Sequence, residues 1–326
     1  MKISVVICTR DREETIGQAV ESVAQCTYDN FDVHIMDQST KPGTRLCVEE
    51  LAARFCDTVT IHYHHLDKAG LSRAYNIGTK VCDGALIAFT DDDVIVPRDW
   101  LTTIARAFAA DAQAGLLYGQ VLVPDELKAI VAAGTVVPSL EWSEPVRLIK
   151  GRAFKVFGMG ANMAVTREML GKVGGFDEAL GGGGPLRSSQ DSDFAYRTYR
   201  AGYAILLEPS VQVDHYGTRT KDQWPDTMAN YGIGDGAFYS KHIRCGDMLA
   251  LRLLLKQYVY SRLREVKHAV RKGKYKRDDY GRNLLVGVKA ALPFDVDKQF
   301  RVYLETDRAK MTVTTSNVVT ASTRSS

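Results

Sequence analysis

Across its first hundred residues the chain alternates short apolar, β-branched runs with amphipathic ones, and that alternation narrows the possible folds more than any other feature. Ile3 to Cys8, Phe31 to Met36, Val59 to His64 and Ala85 to Phe89 read as strands bounded by polar turns. Between them Glu13 to Ala24, Cys47 to Phe55 and Leu71 to Val81 carry helical spacing. A βαβα order requires a mainly parallel sheet flanked by helices, because parallel neighbours can be joined only by a crossover that returns the chain to the same edge. The expected class is therefore α/β, a mixed but mainly parallel, Rossmann-like sheet. Ligands gather at the carboxyl ends of such strands. Here those ends carry Cys8-Thr9-Arg10-Asp11, Asp37-Gln38-Ser39 and Thr90-Asp91-Asp92-Asp93, so three polar clusters are expected on one edge.

Further along, the spacing predicts a helix over Trp100 to Ala110, a strand over Leu116 to Val123 and a loop-rich stretch containing Pro124, Pro138 and Pro145. A short strand, Asn162 to Val165, leads into a helix over Arg167 to Val173. The run Gly181 to Gly184 before Pro185 reads as a mobile loop, since glycine loses the most freedom on ordering. A helix over Asp191 to Ala201, closed by Gly202, precedes two strands, Ala204 to Leu207 and Val211 to Val213. From Gly246 the character changes. Leu249 to Val270 shows helical spacing, with Leu251, Leu254, Leu255, Tyr258, Leu263 and Val266 on an apolar stripe. Basic residues follow at Lys267, Arg271, Lys272, Lys274, Lys276 and Arg277, and the final Ser/Thr-rich stretch is expected to fray.

Charge sharpens this division. The 326 residues carry a formal net charge of +3, but residues 1–240 hold 23 Lys+Arg against 31 Asp+Glu, and residues 241–326 hold 19 against 8. An acidic body thus precedes a basic end. The six cysteines are scattered without a C-x-x-C pair, so they suggest neither a zinc site nor a disulfide framework, and they point toward a reducing compartment. Met1-Lys2 runs directly into the first strand, and no segment approaches the ~18 apolar residues of a bilayer span, so the expectation is a cytoplasmic protein.

The triple aspartate is the sharpest chemical feature. Adjacent carboxylates at the end of an apolar strand repel one another, and hard oxygen ligands suit Mg²⁺ or Mn²⁺. The plainer alternatives are an acidic turn before Pro97 or an Asp N-cap for the following helix. Asp191 and Asp193 open a helix, which a dipole argument alone explains, or they supply a general base. His215 ends a strand and could complete a metal site. The His62-x-His64-His65 cluster reads as structural, because only two of its rings share a strand face and no further ligand is evident.

Taken in order, these segments resemble the family 2 glycosyltransferases, whose fold is named GT-A. ISVVICTRDREETI is similar to the family's first strand and nucleotide loop, VHIMDQST to its second-strand aspartate turn, DKAGLSRAYNIG to the segment before the metal motif, and TDDD to its D-x-D signature. MGANMAVTREMLGKVGGFDEAL resembles the acceptor-side segment, and SSQDSDFAYRTYRAGYAILLEPSVQVDH the stretch that holds the catalytic acidic pair. The resemblance covers roughly residues 2–220. It implies donor contacts from Thr9, Arg10, Asp11, Asp37, Ser72, Asn76, Asp91 and Asp92, a metal site of Asp93, Asp91 and His215, Asp191 as general base, and acceptor-side positions at Gly160, Asn162 and Gln190. Gln190 departs from the family, where Glu is common; the neutral side chain removes a like charge beside Asp191.

The function implied is an inverting transfer of a sugar from a nucleoside-diphosphate donor, UDP first, with GDP and dTDP as alternatives, to an acceptor hydroxyl with Mn²⁺ or Mg²⁺. The acceptor class is a glycan, a lipid-linked sugar or a small molecule. Two other readings stand beside it, a nucleotidyltransferase acting on sugar phosphates and a non-catalytic sugar-binding module. The first lacks a glycine-rich phosphate loop after strand one, and the second is opposed by the intact Asp91, Asp93 and Asp191. The expected organisation is a catalytic domain over 1–220, nucleotide-binding to about 115 and acceptor-binding from 116, then a basic helical extension over 221–310 and a disordered tail over 311–326. The basic helix either packs on the catalytic domain or docks on an anionic membrane at its inner face. No nucleic-acid partner is expected, and self-association is left open.

Overall fold

A computed structural model describes residues 1–151, 154, 158–272 and 278–304. The predicted basic residues Lys274, Lys276 and Arg277, the side chain of Lys272 and the stretch 311–326 lie outside the described residues. The chain divides into two compact units, residues 1–176 with 191–222, and residues 177–190 with 223 onward.

In the first unit the strands are β1 (Ile3–Thr9), β2 (Phe31–Asp37), β3 (Thr60–His65), β4 (Leu86–Asp91), β5 (Val94–Ile95), β6 (Ala114–Leu122), β7 (Val146–Leu148), β8 (Asn162–Thr166) and β9 (Ala204–His215). The α-helices are α1 (Ile16–Ala24), α2 (Gly43–Arg54), α3 (Leu71–Val81), α4 (Trp100–Ala110), α5 (Lys128–Ala132), α6 (Arg167–Val173) and α7 (Gln190–Ala201), which belongs to this unit from Asp191 on. They build one sheet in the order β3-β2-β1-β4-β8-β6-β9-β5, with β7 beside β9. The strands β3, β2, β1 and β4 are parallel, and β8 enters antiparallel between β4 and β6. All seven residues of β1 are buried, as a central strand covered on both faces requires. Because β1 lies between β2 and β4, the chain reverses direction of travel across the sheet here, and such a switch point is where a ligand crevice is expected at the carboxyl ends.

One face packs Ile16, Val20 and Val23 of α1, Val48 and Leu51 of α2, and Trp100, Ile104 and Phe108 of α4 into a continuous apolar core. The other face receives α3, where a Cβ on Gly78 would stand 2.7 Å from Val6. Only glycine lets the helix lie this close to β1. The two strands read around Pro209 are instead one, β9: a register shift opposite Gly119 and Gln120 absorbs residues 209–211, so the proline sits in a bulge rather than at a break. Its neighbour β6 pairs on both sides of that bulge.

The second unit contains α8 (Trp224–Arg244), α9 (Met248–Lys272), α10 (Asp279–Ala290) and a hairpin of β10 (Asp295–Asp297) and β11 (Val302–Leu304). Glycines set the spacing of α8 and α10: a Cβ on Gly236 or Gly287 would stand 2.0 Å from a carbonyl oxygen of the facing helix. Asp177 and Lys241 form a fully buried ion pair, and Asp177 also accepts from the backbone of Ala179 and Tyr303. The glycine run is a hydrogen-bonded turn, in which Gly184 N donates to Gly181 O and Gly181 N to Ser188 O. The α9 stripe divides. Leu254 is buried and Leu251 and Tyr258 are half-buried, whereas Leu255, Leu263 and Val266 are exposed.

Candidate active site

The carboxyl ends of β1, β2 and β4 bring the predicted polar clusters together. Thr9 closes β1 and its hydroxyl donates to Asp92 at 2.6 Å, tying the first loop to the aspartate turn. Asp11 takes a left-handed backbone, φ 52°, which Asp tolerates better than most residues. Its N–H donates to the Ser39 hydroxyl at 2.7 Å, and its carboxylate accepts from Thr40 N at 3.1 Å. Asp37 is fully buried and accepts from Ser39 N and from the Tyr63 hydroxyl, both at 2.8 Å. In this arrangement it shapes the Gln38 to Thr40 turn from beneath. Arg10 is exposed beside Asp11, and Ser72 is buried in the first turn of α3.

Asp91 ends β4, and Asp92 and Asp93 form the turn into β5. The short β5 pairs with the end of β9, which places His215 opposite Val94 and beside Asp93, with Nε2 3.5 Å from Oδ1. Asp91, Asp93 and His215 each offer a ligand atom, all within 4.8 Å of one another. Burial, then the charges of Asp93, Asp92 and Asp191, push the Asp91 carboxyl up to about 8. Burial likewise takes Asp92 to about 6, against the hydrogen bond from Thr9. Burial lowers His215, which holds a neutral ring, and its buried Nδ1 has no hydrogen-bond partner. A neutral imidazole facing carboxylates that repel one another is a donor set suited to a divalent cation. The cradle also has a floor: a Cβ on Gly217 would stand 2.5 Å from Asp93 Oδ2, so only glycine leaves that oxygen accessible.

Asp191 lies in the first turn of α7, half-buried, and accepts from Ser192 N at 2.8 Å. Its charge reaches Asp91, Tyr75 and Tyr118, which places it among the same acidic group. Asp193 is different in kind: it is fully buried and paired with Arg197 at 2.9 Å, whose guanidinium also donates to Val173 O and Gly175 O. Gln190 begins the helix, half-buried.

Two expected contact residues are occupied elsewhere. The Asn162 amide accepts from the Trp100 indole at 3.0 Å and donates to Gln120 O and Val211 O, so it pins β8 to its neighbours with no surface exposed to an acceptor. Asn76 accepts from Phe176 N at 2.7 Å and donates to Phe176 O at 2.9 Å, bracing that backbone rather than facing a donor. Gly160 is buried against Tyr75, whose hydroxyl would stand 2.9 Å from an added Cβ. Two further residues join the group: Arg12, whose guanidinium reaches Asp93 at 3.3 Å, and Tyr75, a buried hydroxyl without a hydrogen-bond partner near Asp91. Arg12 was legible as a cation in the polar loop after β1.

The sequence profile described as Glycosyl transferase family 2 matches residues 4–173. The chain is 24% identical over 247 residues to a glucosyl-dolichyl phosphate glucuronosyltransferase of Haloferax volcanii, an alignment covering 69% of this chain and 72% of that protein. It spans about half the length of other curated relatives it matches, named as uncharacterized or probable glycosyltransferases. Among solved structures it resembles a mannosyltransferase from Pyrobaculum calidifontis in complex with GDP-Man and Mn²⁺, with a TM-score of 0.60 and 17% identity over 89% of this chain and 86% of that one. The S. aureus TarS 1–349 complex with UDP-GlcNAc matches with a TM-score of 0.53 and 13% identity over 94% and 99%. At these identities the likeness is one of fold.

Proposed function

The chain belongs to glycosyl transferase family 2 and is a glycosyltransferase of the GT-A fold, and we propose that it transfers a sugar with inversion from a nucleoside-diphosphate donor, UDP-linked first, to an acceptor hydroxyl. The observation that carries this reading is the convergence of Asp91, Asp93 and His215 at the crevice of the sheet, with Asp191 in the same electrostatic group. A Mn²⁺ or Mg²⁺ ion held by Asp91, Asp93 and His215 would offset the negative charge that grows on the departing diphosphate. Arg10 and Asp11 present themselves to the nucleotide from the exposed side of the first loop, while Thr9, Asp37 and Asp92 fix the turns beneath it and Ser72 closes the start of α3. Asn76, Asn162 and Gly160 position backbone around the site, and Gln190 leads into the base.

Asp191 takes the proton of the acceptor hydroxyl as that oxygen attacks the anomeric carbon from the face opposite the diphosphate. The bond from that carbon to the phosphate oxygen breaks, its electron pair leaves with the diphosphate, and the configuration inverts. Incubating the full chain with Mn²⁺, UDP-sugars and a panel of acceptors, with the product's anomeric configuration read by NMR, tests this. Release of a nucleoside diphosphate with an inverted product is expected; a retained anomer, or pyrophosphate as the product, overturns it.

We place the acceptor at an anionic membrane surface, in a cytoplasmic enzyme. Leu255, Val259, Leu263, Val266 and Val270 recur every three or four residues on α9, each more than half exposed, with Lys256, Lys267 and Arg271 exposed beside them. An apolar stripe with a basic flank lies in the plane of a bilayer, and among the described residues no helix is long and apolar enough to cross one. Co-sedimentation with anionic vesicles is expected for the full chain and lost when Leu255, Leu263 and Val266 become Ser; equal partitioning would count against the surface.

A further inference from the structure

A second group of ligating side chains lies away from the crevice, on the sheet face that receives α3. The parallel register of β2 and β3 sets His34 beside His62 and Met36 beside His64, so that Asp32, His34, His62 and His64 share that face. Alternation in the sequence shows only the two β3 histidines; the fold supplies Asp32 and His34 from the neighbouring strand. The rings of His34 and His62 stack with centroids 4.6 Å apart, and those of His34 and His64 at 5.4 Å.

Two buried atoms here have no hydrogen-bond partner, Asp32 Oδ1 and His34 Nε2, and they face each other at 3.4 Å. On the far side of the same ring, His34 Nδ1 is 3.2 Å from His64 Nε2. When Nδ1 carries the proton and donates to His64, Nε2 turns its lone pair toward the carboxylate oxygen. A cation between the two atoms satisfies both. His62 brings a third ligand atom, and the three lie within 4.8 Å of one another. The other Asp32 oxygen is held by Lys2 at 2.6 Å, and Lys2 also pairs with Asp83.

We propose that Asp32, His34 and His62 form a transition-metal site, separate from the crevice, that takes Zn²⁺ or a similar divalent ion, with His64 as the outer partner that fixes the His34 tautomer. Two imidazoles and one carboxylate favour borderline ions over Mg²⁺ or Ca²⁺. A tetrahedral ion with bonds near 2.0 Å separates its ligand atoms by roughly 3.3 Å. The Asp32 to His34 spacing already matches, and the half-buried His62 closes the remaining distance by turning its ring. Water completes the shell at the open side. The bound ion clips β3, the outermost strand, to β2.

The test uses the untagged, chelator-treated full chain carrying Asp91→Asn and Asp93→Asn, so that the crevice does not compete, titrated with Zn²⁺ by calorimetry. One Zn²⁺ per chain is expected, with a higher melting temperature. His62→Ala abolishes the stoichiometric uptake without changing the metal-free melting curve, and His64→Ala weakens affinity about 10- to 100-fold, as loss of an outer partner does. In the wild-type background His62→Ala lowers total Zn²⁺ uptake by one. No uptake, which would leave an Asp-His-His hydrogen-bond relay, or uptake unchanged by His62→Ala, overturns the proposal. Failure of glycosyl transfer in the crevice would leave this result untouched.

Discussion

The acidic cluster in the crevice and the histidine cluster at the sheet's outer edge are assembled from the same side-chain types, yet their electrostatics run in opposite directions. In the crevice, desolvation and then the charges of three other carboxylates oppose the ionisation of the half-buried Asp91, Arg12 offsets them in part, and the Asp91 carboxyl rises to about 8. At the edge, Asp32 is also buried but stands between Lys2 and His34, and its carboxyl falls. Burial is common to both; the neighbours decide the sign. A carboxylate kept protonated by its neighbours takes a cation only in exchange for a proton, which suits an ion that arrives with a donor. One already ionised holds its ion on its own terms.

The largest effect separates chemistry from cation binding inside the crevice. A positioned base contributes about 10²- to 10⁴-fold, so Asp191→Asn is expected to lose that much in turnover while UDP affinity in Mn²⁺ stays within twofold or threefold. Asp32→Asn, at the edge, leaves turnover per folded enzyme unchanged. Initial rates paired with calorimetric UDP binding read both. An Asp191→Asn enzyme with near wild-type rates would remove the base from the mechanism.

The next effect contrasts the two aspartates through pH. Between about pH 4 and pH 8 the folded, metal-free chain holds a proton on Asp91 that the unfolded chain has released, so this group makes stability fall as pH rises. The melting temperature in chelator is expected to decline from pH 5 to 8.5, less steeply in Asp91→Asn, and Mn²⁺ restores most at the alkaline end. Asp32 has the opposite sign: its contribution is fully present above its unfolded pKa and is lost only as pH falls toward its depressed folded value. Asp32→Asn therefore lowers the melting temperature by a constant amount over pH 5 to 8.5. Parallel curves for wild type and Asp91→Asn would show that Asp91 ionises normally.

The contrast also marks what the sequence could disclose. The βα alternation, the three polar strand ends and the helices over Leu71–Val81, Trp100–Ala110 and Arg167–Val173 were legible because each rests on local spacing. Two of the three proposed crevice ligands fall in one short run, Asp91 to Asp93, and His215 closes a readable strand. The edge cluster was only half visible. His62 and His64 declare themselves by alternation, but Asp32 and His34 join them only through the register of a neighbouring strand, which no local pattern encodes. The same gap explains Asn76 and Asn162, whose motif positions suggested ligand contacts and whose amides pair with backbone groups and, for Asn162, the Trp100 indole, all distant in sequence. It also explains β9, where Pro209 reads as a break until β6 is seen to bridge the bulge.

The smallest effect tests whether Asn162 belongs to the sheet or to the crevice. Its amide pairs the Trp100 indole N–H and the carbonyls of Gln120 and Val211 in a fully buried position. Asn162→Ala leaves those groups without partners, at a cost of about 1–3 kcal/mol for a buried donor or acceptor left unsatisfied. With Trp100 and Val211 both in the apolar core against the sheet, that loss falls on the unit as a whole. The melting temperature is expected to drop by several degrees, read by circular dichroism, while the acceptor KM and the turnover of the folded fraction hold. A KM that rises with little thermal change would move Asn162 back to the acceptor side, since a side chain that binds substrate costs binding before it costs the fold.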